Sequence, residues 1–153
     1  MSGFTRGRRI GVDVGKVRVG VAICDPDGIL ASPLTTLARD LKAKADQLPS
    51  DVAALADLVR EHEVVEVIVG LPVNLAGVRG PAAEHVEEYA RILGPAIAPV
   101  PLRLVDERMS TVVATRRLSE RGVRGKRQRA VVDQAAAVEI LQGWLDAQRR
   151  RTC

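Results

Sequence analysis

Short apolar runs punctuated by glycine and proline occupy the first part of the chain, and helical spacing takes over further along. Arg9 to Gly15 and Arg18 to Cys24 read as two β-branched strands joined by Gly15-Lys16-Val17, where glycine permits a tight turn. Pro26-Asp27-Gly28 is a second turn signal, and a third strand is expected within Ile29 to Leu37. These three strands form a meander of hairpins, so the opening sheet is antiparallel.

The stretch from Arg39 to Pro49 is polar, either partly helical or mobile. From Ser50, a plausible N-cap, Val52, Leu55, Ala56, Leu58 and Val59 supply an apolar helix stripe. A dense strand, Val64 to Val69, runs into Gly70-Leu71-Pro72. After the loop Val73 to Gly80, Pro81 suits the start of a helix ending near Gly94-Pro95. A short strand, Leu102 to Val105, precedes a helix from about Ser110 to Arg121, a basic loop containing glycine, and a last helix from about Ala130 to Gln148. Strand-helix-strand crossovers add parallel strands to the meander. The pattern predicts an α/β domain with a five-stranded mixed sheet and helices on both faces.

A length of 153 residues suits a single domain, 1–153, with enough aliphatic material for a core and mobile ends expected at 1–7 and 149–153. Phe4, Tyr89 and Trp144 are the only aromatics, which excludes base stacking on aromatic platforms as a main binding mode. Cys24 and Cys153 form no metal or redox motif, so a reducing cytoplasm is the simplest setting. The chain shows neither a signal peptide pattern nor a long apolar run, and no membrane association is expected.

The net charge of +4 says little until its distribution is considered. Arg116, Arg117, Arg121, Arg124, Lys126, Arg127 and Arg129 crowd one segment, with Glu120 the sole acid among them. A solvated helix face explains some of these bases; a footprint for a polyanion explains the cluster better.

Asp13 is the anomalous residue, a carboxylate inside the apolar run Ile10-Gly11-Val12-Asp13-Val14. Burying it is costly without a partner, a hydrogen bond or a cation, although capping a turn or lying on a polar strand face would also account for it. Asp106 and Glu107 end the short strand, where regular alternation lets only one share a face with Asp13; either could instead cap the next helix or pair with Arg108. Asp133 sits one turn before Ala136 and Ala137 on an inward helix face, near the expected helix start, where the dipole alone favours an acid.

Convergence of these acids would call for a divalent cation, because clustered carboxylates otherwise repel and take up protons. Mg²⁺ or Mn²⁺ prefers such hard oxygen ligands, and a pair of ions about 4 Å apart can activate water and stabilise both oxygens of a phosphodiester displacement. His62 and His85 have no zinc-ligand spacing. Lys16 and Arg18 flank the first turn close to Asp13 and are candidates for holding phosphate or simply solvating the turn. Ser110 either caps its helix or serves phosphate, while Asn74 offers an amide from the Pro72 loop.

Four blocks resemble the YqgF/RuvX family, the Holliday-junction-resolvase-like proteins also described as pre-16S rRNA nucleases. They are GVDVGKVRVGVA at Gly11 to Ala22, VGLPVNLAG at Val69 to Gly77, DERMSTVVA at Asp106 to Ala114 and VDQAAAVEIL at Val132 to Leu141. They occur in family order. Met109 and Ser110 stand where leucine and threonine are frequent, a change that keeps an apolar side chain and a hydroxyl.

The resemblance implies a ribonuclease H-like fold with strand order 3-2-1-4-5. It implies Asp13, Glu107 and Asp133 as catalytic metal ligands, with Asp106 as a further or alternate ligand and Mg²⁺ or Mn²⁺ as cofactor. Lys16, Arg18, Asn74, Arg108, Ser110, Arg124, Lys126, Arg127 and Arg129 are the expected substrate-binding residues. The expected activity is metal-dependent phosphodiester hydrolysis on structured RNA in the cytoplasm, with processing of the 5′ end of 16S ribosomal RNA precursor preferred. One alternative is a resolvase of branched DNA, which needs a homodimer rather than a monomer to make paired cuts. Another is a non-catalytic ribosome-assembly or nucleic-acid-binding factor. An actin-like ATP-handling protein, suggested by Asp13-Val14-Gly15, lacks room for the duplicated domain pair.

Overall fold

A computed structural model describes residues 5–72, 80–106 and 126–152. The meander forms as β1 (Arg9–Val14), β2 (Arg18–Cys24) and β3 (Ala31–Ala38), paired antiparallel. Helix α1 (Ser50–Glu61), β4 (Glu66–Leu71), α2 (Pro81–Ile97), β5 (Leu102–Asp106) and α3 (Lys126–Thr152) complete the described elements. β4 lies parallel to both β1 and β5, so the sheet is mixed, with spatial order β3-β2-β1-β4-β5. This is the expected order.

Alternation along the central strands separates two cores. Ile10, Val12 and Val14 of β1, with Val19, Val21, Val67 and Val69, pack beneath α1 and α2. On the other face Ala22, Cys24 and Ile68 meet Ala136, Ala137, Ile140 and Leu141 of α3. Two glycines let α3 approach that closely. A Cβ at Gly11 would lie 2.6 Å from Leu141 Cβ, and one at Gly20 would lie 2.2 Å from the Asp133 carbonyl oxygen. Gln134 and Gln142 then peg the helix to the meander: Gln134 Nε2 donates to Thr36 Oγ1, and Gln142 Oε1 accepts the Ala31 amide.

Boundaries differ from the sequence expectation where backbone hydrogen bonds are diverted. β4 begins at Glu66 rather than Val64, because the Val64 amide bonds Val59 and the Val65 amide bonds Arg8. Pro33 is tolerated because β3 is an edge strand with a register irregularity opposite Val21 and Ala22. Pro49, not Ser50, holds the N-cap position of α1; Asp40 Oδ2 accepts the Ser50 amide from outside the helix.

Helix α2 continues past Gly94-Pro95 to Ile97, where burial of Leu93 and Ile97 offsets the one hydrogen bond that proline forgoes. α3 begins at Lys126, earlier than expected, and runs to Thr152. The basic segment therefore enters the helix, and Lys126, Arg127 and Arg129 lie on its opening turns rather than in a loop. Arg149 of α3 donates Nη1–H to the Gly28 carbonyl at 2.8 Å. The helix expected over 110–121 falls outside the described residues.

Candidate functional site

Asp13 lies within β1 with only 2% of its surface accessible, so it occupies neither a turn nor a solvent-facing side of the strand. Its parity matches Gly11, whose Cβ direction is filled by Leu141, so Asp13 faces α3. In the β1–β2 register Asp13 is opposite Gly20, and Asp133 packs directly on Gly20. A Cβ built at Gly20 would be 3.1 Å from Asp133 Cβ. The two acids thus meet around one glycine, although 120 residues separate them in numbering, 133 less 13.

Asp133 is 7% accessible and lies about two turns inside α3, because the helix starts at Lys126. A dipole at the helix end therefore does not account for this acid, contrary to the expectation drawn from a later start. Its partner is Arg18, which donates Nε–H to Asp133 Oδ2 at 2.9 Å. Lys16 is exposed on the intervening turn.

Asp106 ends β5, in register with Leu71 at the carboxyl end of β4. It shares parity with Leu102, which packs against the α1/α2 core, whereas Val105 packs against the α3 core. Asp106 accordingly faces the side of the sheet opposite Asp13. Glu107, Arg108, Ser110, Asn74 and Arg124 lie outside the described residues, as do the side chains of Lys126, Arg127 and Arg129. Among the described residues, no three His, Cys, Asp or Glu side chains gather as a metal site. The acids that flank Gly20, Asp13 and Asp133, carry hard oxygens suited to Mg²⁺ or Mn²⁺ and unsuited to a thiolate- or imidazole-preferring metal.

Sequence reasoning passed over a second polar cluster, on the other face of the sheet. Asp51, in the first turn of α1, is buried and accepts a 2.7 Å hydrogen bond from Tyr89 Oη. Burial and this acidic neighbour push the Tyr89 phenol far above its ordinary range. Arg39 stacks over the Tyr89 ring at 4.7 Å and places Nε 3.4 Å from Asp51 Oδ2, within ion-pair reach but not aligned as a hydrogen bond. Its signal in sequence was slight: an aspartate beside the apolar stripe of a helix looks like a favourable N-terminal acid.

A family model described as RuvX: Holliday junction resolvase matches residues 7–147. A Mycobacteroides abscessus protein named "Putative pre-16S rRNA nuclease" is 57% identical over 145 residues, covering 95% of this chain and 84% of the relative. A Rhodococcus jostii protein of the same name is 54% identical over 145 residues, covering 95% and 80%. Among solved structures, T. thermophilus RuvC in complex with Holliday junction substrate is similar with a TM-score of 0.55 at 16% identity, over 95% of this chain and 96% of that one. At that identity the likeness concerns the fold, which is ribonuclease H-like. Among the described residues no helix is long and apolar enough to cross a membrane.

Proposed function

Since the chain belongs to the RuvX family, we propose that it is a divalent-metal-dependent nuclease of the cytoplasm that hydrolyses phosphodiester bonds in structured RNA, with the 16S ribosomal RNA precursor as substrate. The observation that carries this reading is the meeting of buried Asp13 and Asp133 around Gly20 beneath α3. Two carboxylates withdrawn from water beside one glycine are costly unless positive charge is supplied.

Asp13 and Asp133 would hold Mg²⁺ or Mn²⁺ together with Glu107, whereas Asp106, expected as an alternate ligand, faces the other side of the sheet and is left out of the set. The bound cation would supply activation of the attacking water and stabilisation of charge developing on the phosphodiester oxygens. Arg18 supplies part of the compensating charge, and on substrate binding its guanidinium can turn from Asp133 to a phosphate oxygen. Lys16, exposed on the adjoining turn, meets the same backbone. The bases from Arg116 to Arg129, together with Asn74, Arg108 and Ser110, extend contact along the nucleic acid. Such contacts give salt-sensitive affinity with little sequence readout.

Cleavage of precursor RNA with Mg²⁺ or Mn²⁺ tests this proposal, with Asp13→Asn, Glu107→Gln and Asp133→Asn as controls. Cleavage by the parent and its loss in each variant is the expected result; equal cleavage by parent and variants sinks the centre. The family description supports a second reading, resolution of four-way DNA. Linear duplex and a four-way junction in the same assay distinguish the two, since symmetric junction cuts in preference to RNA cleavage would favour the resolvase.

A further inference from the structure

The hairpin turn between Asp13 and Arg18 is anchored from the opposite face of the sheet. Gly15 uses both of its backbone groups: its amide donates to the Arg18 carbonyl at 2.9 Å, and its carbonyl accepts Arg39 Nη1–H at 2.9 Å. The Arg39 amide also donates to the Val17 carbonyl at 2.8 Å. One residue therefore grips the turn by main chain and side chain together.

The guanidinium is itself held from several directions. Asp51 lies at ion-pair distance and Tyr89 lies beneath the plane, while His85 Nε2 accepts from Nη1 at 2.9 Å, because arginine has only donors to offer. Asp51 is fixed in turn by Tyr89 Oη and by the Asp40 amide, which donates to Oδ1 at 3.2 Å. A chain of contacts thus runs from α1 and α2 through Arg39 to Gly15. Asp13 is two positions before that glycine, and Arg18 is three after it.

We propose that Arg39, oriented by Asp51 and Tyr89, is a positioning residue for the candidate centre: it fixes the Gly15-Lys16-Val17 turn, and hence the relative placement of Asp13 and Arg18, from the face of the sheet remote from α3. Three features favour this over a purely stabilising role. The arginine spends a donor on a turn carbonyl next to the site rather than on the carboxylate facing it; its Nε is left without a hydrogen bond; and its planar fork spans three elements, which a lysine ammonium cannot do. The consequence for catalysis rests on the proposed nuclease reading. The consequence for the turn does not.

The test separates the two. Hydrogen exchange on the intact protein should show amides 15–18 opening at least tenfold faster in Arg39→Met and in Asp51→Asn, with β4 and α3 unchanged. Arg39→Lys, which can still reach the Gly15 carbonyl, should restore part of the protection. In the precursor-RNA assay Arg39→Met should lower kcat at least tenfold with KM within about twofold, and Arg39→Lys should recover part of kcat. Thermal unfolding identifies any variant that fails to fold; Tyr89→Phe, which keeps the packing and deletes only the hydroxyl, then carries the measurement and should give the same pattern more weakly. Unchanged exchange at 15–18 in folded variants overturns the proposal whether or not RNA is cut. Faster exchange with full kcat in a cleaving enzyme also overturns it. Faster exchange in a protein whose parent cuts no RNA removes the nuclease reading and leaves the anchoring of the turn standing.

Discussion

Arg18 on β2 and Asp133 on α3 form a part-buried ion pair, with Arg18 Nε 2.9 Å from Asp133 Oδ2. The guanidinium occupies a carboxylate oxygen of Asp133, so under the proposed function it would compete with a cation bound by that oxygen. Arg18→Ala should therefore tighten Mg²⁺ or Mn²⁺ binding measured by calorimetry, while RNA cleavage falls because a phosphate contact is lost. Weaker metal binding in that variant would contradict the competition.

Cation binding at the two acids should also be visible without substrate. A ligand that binds only the folded state at 100 times its Kd stabilises by about 2.7 kcal/mol. Thermal unfolding of the parent should rise with Mg²⁺ or Mn²⁺, and Asp13→Asn or Asp133→Asn should flatten that rise. An equal shift in parent and variants would place the cation elsewhere.

Gly20 is the contact point of α3 and the sheet. The carbonyl oxygen 2.2 Å from its would-be Cβ belongs to helix backbone and cannot move aside by changing rotamer. Gly20→Ala should cost about 1–3 kcal/mol or more by overpacking, read from denaturant unfolding, and should reduce cleavage by moving Asp133 away from Asp13. Unaltered stability would mean that α3 sits less tightly than the contacts imply.

At the other end of β1, Arg9 is buried and donates Nε–H and Nη2–H to Glu66 Oε1 at 3.0 and 2.8 Å. It also lies 5.6 Å from the centre of the Trp144 ring, and Arg103 pairs with the same glutamate. Glu66→Ala should cost up to about 3–5 kcal/mol by removing the anionic partner of a buried guanidinium, which keeps its hydrogen bond to the Gly7 carbonyl. Replacing both members, Arg9→Met with Glu66→Leu, should recover most of that loss; no recovery would point to a role beyond the pair.

Asp25 governs acid sensitivity at the β2–β3 turn. Its carboxylate accepts amides from Leu30, Ile29 and Asp27, which hold its pKa below the ordinary 3.8. A depressed folded value means that the contribution is present above about pH 4 and is lost as pH falls through the folded pKa. The stability gap between parent and Asp25→Asn should accordingly narrow from pH 5 towards pH 2 in denaturant unfolding. A gap independent of pH would assign the effect to the turn backbone instead.

The local pattern was legible wherever neighbours in sequence decide the structure. β-branched runs with glycine and proline punctuation specified the meander, and helical spacing placed α1 and the inward face of α3, because each depends on a repeat of only a few residues. Asp13 was legible as an anomaly for the same reason: an ionised group in an apolar run is conspicuous in one dimension. Only tertiary structure decided what it meets. Gly20 admits the α3 backbone, a close approach that no repeat encodes, and so brings Asp133 to Asp13 and gives it Arg18 as a partner. The parity of β5 turns Asp106 away from that face, which depends on where the strand begins rather than on the acid itself. Arg39, in a polar stretch without periodicity, acquires its role from α1, α2 and the turn at once. Short-range spacing carries the elements and their inward faces; long-range contact between surfaces assigns the charges their partners.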